Sequence, residues 1–79
     1  MDYDKDKVDE VVLALMWLVL HEDGLVTRAW KGLDWDALDR LHEKGLISNP
    51  RSRAKSLVLS DEAVELSEAL FKKYFGKSG

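Results

Sequence analysis

The chain has no cysteine, one proline and five glycines in 79 residues. The lack of cysteine excludes a disulfide staple, a thiolate metal site and a thiol nucleophile. Scarce proline and glycine leave no linker or low-complexity stretch, and no internal repeat is present. Long hydrophobic runs are also missing: the longest, Val11 to Leu20, is ten residues, against the roughly 20 that a helix needs to span a bilayer. No membrane anchor is read. A basic opening is absent too, since Asp2, Asp4, Asp6, Asp9 and Glu10 outnumber Lys5 and Lys7. That is the reverse of a secretory signal, and the cytoplasm is the expected compartment.

Catalytic machinery is equally scarce. No glycine-rich phosphate loop and no Gly-x-Ser-x-Gly elbow occurs, and the serines fall in strand, hairpin, cap and tail positions. The two histidines, His21 and His42, sit in His-Glu-Asp and His-Glu-Lys contexts, but a zinc site wants several converging ligands, typically two histidines four apart on a helix. No catalytic residue, metal or cofactor is expected, and the chain reads as non-enzymatic.

What is present is enough apolar sequence for one small core, hence one domain over residues 1–79. A core of this size usually supplies roughly 3–5 kcal/mol, so self-association is an expected source of further stability. The net charge of −3 is unevenly spread. Residues 1–10 carry −3 and residues 34–45 carry −2, whereas residues 46–60 carry +3 and form the one basic segment.

The patterning predicts a first helix from about Asp6 to Glu22, with Val8, Val11, Val12, Leu15, Leu18 and Val19 facing the core and Leu13, Trp17 and Leu20 on the opposite side. Gly24 ends it. Leu25-Val26-Thr27 reads as a brief strand or extended link, with Thr27 capping a single helical turn through Lys31. Asp34 caps a helix to Lys44 carrying Trp35, Leu38 and Leu41. Gly45 then takes the left-handed position of a Schellman ending, with Leu46 folded back on Leu41. Leu46–Ser48 and Lys55–Leu59 read as a hairpin with a basic tip at Asn49–Arg53. Ser60 caps a last helix, with Asp61 and Glu62 at its start and Lys72 and Lys73 near its end. Its apolar side is Val64, Leu66, Leu70, Phe71, Tyr74 and Phe75, and a solvated tail follows at Lys77-Ser78-Gly79. The class is α+β, mainly α with a small β-hairpin: three to four helices and a two- or three-stranded wing.

From Val8 to Phe75 this order resembles the winged helix-turn-helix domains of small bacterial regulators. Its most specific pieces are Leu38-Asp39-Arg40-Leu41-His42-Glu43-Lys44-Gly45-Leu46-Ile47 and, after the wing, Leu57-Val58-Leu59-Ser60-Asp61-Glu62-Ala63. The resemblance implies that Asp34–Lys44 is a recognition helix and Asn49–Arg53 a wing tip, although the helix before the recognition helix is at most one turn. The whole chain also looks like a family of short bacterial proteins of unknown function, marked by Arg28-Ala29-Trp30-Lys31-Gly32, Asp34-Trp35-Asp36 and His42-Glu43-Lys44-Gly45-Leu46-Ile47-Ser48 with Pro50 close behind.

Three surfaces are candidates for function. Double-stranded DNA would be held by Arg51, Arg53 and Lys55 of the wing, with Arg28, Lys31, Arg40 and Lys44 adding phosphate contacts; Asp34, Asp36, Asp39 and Glu43 oppose groove insertion of the recognition helix. A homodimer would bury Leu13, Trp17 and Leu20 of the first helix with Phe71, Tyr74 and Phe75 of the last, unless the last helix packs over the first in one chain. Trp30 and Trp35, bracketing Gly32, either line a pocket or peptide groove or plug the core; Arg28 or Lys31 is placed to stack on an indole face. The expected role is a small binding protein: a DNA-binding transcriptional regulator, or alternatively a protein-interaction or dimerisation module.

Overall fold

The computed structural model describes residues 1–77. Of the expected tail, Ser78 and Gly79 lie outside the described residues. The chain folds as α1 (Lys5–Met16), a 3-10 turn (Trp17–Val19), β1 (His21–Asp23), β2 (Val26–Trp30), α2 (Trp35–Glu43), β3 (Ser56–Leu59) and α3 (Asp61–Phe75). It is an α+β fold with three α-helices and a three-stranded antiparallel sheet of order β1-β2-β3. No helix among these residues is long and apolar enough to cross a membrane.

The first helix is shorter than its apolar run predicts, and its core face is different. Asp4 caps it by accepting from Lys7 N at 3.1 Å. The α-helix stops at Met16, the chain is extended by Leu20, and His21–Asp23 enter the sheet. The buried stripe is Asp9, Val12, Leu13 and Met16, with Ala14 buried beside it, and it is turned from the expected one by roughly 100°, the angle of one residue at 3.6 per turn. Leu13 is therefore in the core and unavailable to a dimer contact. Leu18, assigned to the core by periodicity, is 65% exposed.

Gly24 does not cap a helix. It sits first in the two-residue Gly24-Leu25 loop that joins β1 to β2, where Asp23 pairs with Val26, and its φ of +67° is the left-handed value a type II′ hairpin turn requires there. The predicted helical turn at Thr27–Lys31 is accordingly strand β2. The hairpin expected between Leu46–Ser48 and Lys55–Leu59 is reduced to a single bridge, Ile47 to Leu59, while β3 pairs along its whole length with β2, from Thr27–Leu59 to Trp30–Ser56. Local β pattern located β3 correctly but could not name its partner, because pairing is decided by which strand can share an inner face.

From α2 onward the local chemistry holds. Asp34 accepts from Ala37 N at 3.1 Å. Gly45, at φ +77°, ends the helix with Leu46 N bonded to Leu41 O at 3.1 Å and Gly45 N to His42 O at 2.9 Å, the paired bonds of a Schellman motif. Ser60 caps α3 through Ala63 N at 3.0 Å. The face of α3 that seals the core is Ala63, Ser67 and Leu70, with Val64, Phe71 and Tyr74 half-buried beside it and Leu66 and Phe75 exposed.

The core lies between the helices and one face of the sheet. Thr27, Ala29, Leu57 and Leu59 point inward, and α3 packs directly over α1. By the same register the outer face carries His21 and Asp23 from β1, Val26, Arg28 and Trp30 from β2, and Ser56 and Val58 from β3. The shortest dimension of the molecule, 19 Å, matches one layer of helices on one sheet. That outer face is left to solvent.

Candidate binding surface of the sheet and the basic loop

Trp30 ends β2 on the outer face and is 58% exposed; Trp35 opens α2 and is 44% exposed. Neither plugs the core. Nor do they line either of two clefts among the described residues. One, of about 350 Å³, is bordered by Trp17, Leu20, His21, Glu22, Thr27 and Val64. The other, of about 110 Å³, lies between the helices around Asp9, Leu13, Lys44 and Leu70. The expected tryptophan pocket is thus replaced by two separate indoles on the surface. Gly32 positions the first: a Cβ at residue 32 would collide with the six-membered ring of Trp30, so the ring lies against bare backbone. The second is flanked by cations, with Lys31 Nζ 5.8 Å and Arg51 Cζ 5.2 Å from the Trp35 ring centre. Lys31 stacks as expected, and Arg28 does not.

The loop from Asn49 to Lys55 is pinned beside these rings. Asn49 Oδ1 accepts from Arg51 N at 2.9 Å, a local turn bond, and Lys31 Nζ donates to Pro50 O and Ser52 O at 3.1 Å each. Arg51 grips Asp39 of α2 through Nη2 at 2.7 Å and Nε at 3.3 Å. That hydrogen bond holds the Asp39 carboxyl below the ordinary carboxylate range and raises Arg51 in turn. Arg28 donates to Asp23 at 3.1 Å and to Ser56 Oγ at 3.3 Å, lying along the outer face.

Arg40 and Lys44 leave the expected phosphate-binding set. Both turn toward α1, where Asp9 is only 1% exposed. Arg40 Nε donates to both Asp9 oxygens at 2.9 Å, its Nη2 lies 2.8 Å from Oδ1 but off the line of a well-formed hydrogen bond, and Lys44 Nζ approaches Oδ2 at 3.3 Å. The Asp9 hydrogen bond raises the Arg40 pKa. With Arg40 turned inward and Lys44, still half exposed, engaged by Asp9 and Asp6, the solvent side of α2 shows Trp35, Asp36, His42 and Glu43. Of the seven candidate cations, Arg53 and Lys55 are the two with no acidic or carbonyl partner among the described residues, and both are exposed.

A family model for a domain of unknown function, DUF6429, matches residues 4–77. The chain belongs to the DUF6429 family. Within curated proteins, the uncharacterised protein y4hR of Sinorhizobium fredii (strain NBRC 101917 / NGR234) is 53% identical over 75 residues, covering 95% of this chain and 97% of that protein. No solved structure matches at a significant level.

In this DUF6429 chain the two ends of the expected dimer surface behave differently. Leu13 is core, Phe71 and Tyr74 pack against the core, and Tyr74 donates its hydroxyl to Glu10 at 2.9 Å, a bond that raises the phenol pKa. Trp17 and Leu20 are half-buried along the larger cleft, and Phe75 is 46% exposed, its ring 5.3 Å from that of Phe71. His42 Nδ1 meets Ile47 O at 2.9 Å, a structural contact, and no cluster of metal-ligating side chains occurs among the described residues. Two features escaped the sequence reading. The Asp9 network had one signal, a lone acid in the stripe Asp9-Val12-Leu13-Met16. The open sheet face had another, Gly24-Leu25, the Gly-X pair of a type II′ hairpin turn.

Proposed function

We propose that this domain is a non-enzymatic nucleic-acid-binding protein of the bacterial cytoplasm, working through the basic Asn49–Lys55 loop and the tryptophans beside it. The observation that carries the reading is the state of Arg53 and Lys55. They lie in the one segment of positive charge, have no partner to give up among the described residues, and run directly into Ser56, which pairs with Trp30. Phosphate binding draws its affinity from such unneutralised cations. Arg51 and Lys31 stand next to them and can exchange internal partners for phosphate. The winged-helix resemblance supports the loop as the contact element. Its other implication, α2 as a groove-reading helix, is opposed by Asp36, Asp39 and Glu43, which would face a polyanion. Anisotropy of labelled oligonucleotides at 50 to 200 mM salt tests the reading. Affinity should fall steeply with salt and drop further in Arg53→Ala/Lys55→Ala; salt-insensitive or absent binding to every oligonucleotide overturns it.

A second reading, self-association, is favoured by the apolar residues left outside the core at the end of α1, Leu18 and Val19, together with Trp17 along the cleft. A second copy would cover them. Light scattering should then give about twice the 9.0 kDa chain mass, and Leu18→Glu should halve it, because a carboxylate buried there would lack a partner. A monomer at high concentration removes this reading without touching the first.

A further inference from the structure

We infer that Trp30 is a stacking platform for an unpaired nucleobase, so that the nucleic acid taken by this surface is single-stranded. The inference rests on the nucleic-acid reading above and names the form of the ligand. Three observations meet at this residue. The first is orientation: one side of the indole is backed by Gly32, where any side chain would displace it, and the ring stands on the outer sheet face with more than half its surface open. An aromatic ring of this size in a small protein is normally buried or half-buried. Here the backbone holds it outward before any ligand arrives, which lowers the cost of ordering on binding.

The second observation is charge. Trp30 and Ser56 are register partners, so Lys55 and Arg53 lie one and three residues along the chain from the partner of Trp30, and Arg28, two residues away on the same face, is engaged by Asp23 at 3.1 Å. The acid on that face, Asp23, pairs at the opposite end of β2 beside Val26, about 13 Å from Trp30 at 3.3 Å per residue. The open cations of the loop, Arg53 and Lys55, therefore join the sheet at its aromatic end. A planar, π-faced group joined to phosphates complements both features, and sequence-tolerant binders of single strands combine them in this way.

The third observation separates single strand from duplex. Base pairs stacked in a duplex offer only their edges and the sugar-phosphate rim, and the flat face of a base reaches an indole only when the base is splayed out. The helix that would have read a duplex groove has Arg40 and Lys44 committed to Asp9.

The full chain is titrated against fluorescein-labelled twelve-nucleotide oligo(dT) and oligo(U), and against a mixed-sequence duplex of the same length, at 50 mM salt. Either or both single strands should bind at least tenfold more tightly than duplex, the two strands telling whether the deoxythymidine or the uridine polymer is preferred, and tryptophan fluorescence should be quenched on binding, less so in Trp30→Ala. Trp30→Ala should weaken single-strand binding by roughly tenfold to a hundredfold with an unchanged salt slope, and Trp30→Phe should recover much of it. Because Trp30 is exposed, both variants should stay folded, which circular dichroism checks. Arg53→Ala/Lys55→Ala should instead lower the slope by about 1.4, two phosphates at roughly 0.7 each. If duplex binds as well as single strand, or Trp30→Ala binds like the parent while the loop variant is weakened, the platform is wrong and the nucleic-acid reading stands. Absence of salt-sensitive binding to all three oligonucleotides overturns both.

Discussion

Asp9 is the most consequential single side chain. Its carboxylate is buried between α1 and α2 and satisfied by Arg40 and Lys44. Removing one member of such a pair leaves the other charge stranded, which costs about 3–5 kcal/mol when the site is sealed. Arg40 keeps 23% of its side chain exposed, so Asp9→Ala should cost about 2–3 kcal/mol, measured by urea unfolding. A loss under about 0.5 kcal/mol, the ordinary scale of surface changes, would show that the network contributes little. Asp39 gives a prediction in pH. Its hydrogen bond from Arg51 lowers its pKa in the folded state. The contribution is thus complete above the unfolded value of about 3.9 and is lost as pH falls through the lower folded value. A carboxylate titration by NMR should place Asp39 below that value and return it upward in Arg51→Ala. An unmoved midpoint would mean that the pair does not persist in solution.

At the scale of the element, caps and turns carry most of what local sequence can specify. Ser60→Ala removes the acceptor for Ala63 N and should destabilise by about 1 kcal/mol. Gly24 has open space around it, so Gly24→Ala meets no steric block; its cost, about 1 kcal/mol, comes from forcing a Cβ into the left-handed region. If residue 24 ended a helix in a right-handed conformation instead, alanine would stabilise, and thermal unfolding of this variant distinguishes the two. Asp34, Gly45 and Ser60 were legible because each acts through bonds to residues no more than five away. The end of α1 was not. Leu15 to Val19 are good helix residues by pattern, but the chain leaves the helix at Met16 because His21–Asp23 gain a partner in β2, and a strand partner is a nonlocal reward.

The whole molecule is one helical layer on one sheet, with a core of mostly small and medium side chains. Such a core supports roughly 3–5 kcal/mol; with a urea slope of about 1 kcal/mol per molar, the lower end of the usual range, a monomer should unfold near about 3–5 M urea at a midpoint independent of protein concentration. A midpoint that climbs with concentration would instead report the covered Leu18 face, since association adds stability by mass action.

Length, composition and capping chemistry by themselves determined the α+β class, the start and end of α2, the start of α3 and the position of the basic loop. Tertiary structure decided which face of α1 is inside, that β3 pairs along its whole length with β2 and only through the Ile47–Leu59 bridge with Leu46–Ser48, and that Arg40 and Lys44 serve Asp9 while Arg53 and Lys55 remain open among the described residues. The division has a physical cause. Caps and turns are settled by bonds within a few residues, whereas burial and ion pairing depend on which distant surface arrives, and Asp9 meets Arg40 across 31 residues of chain.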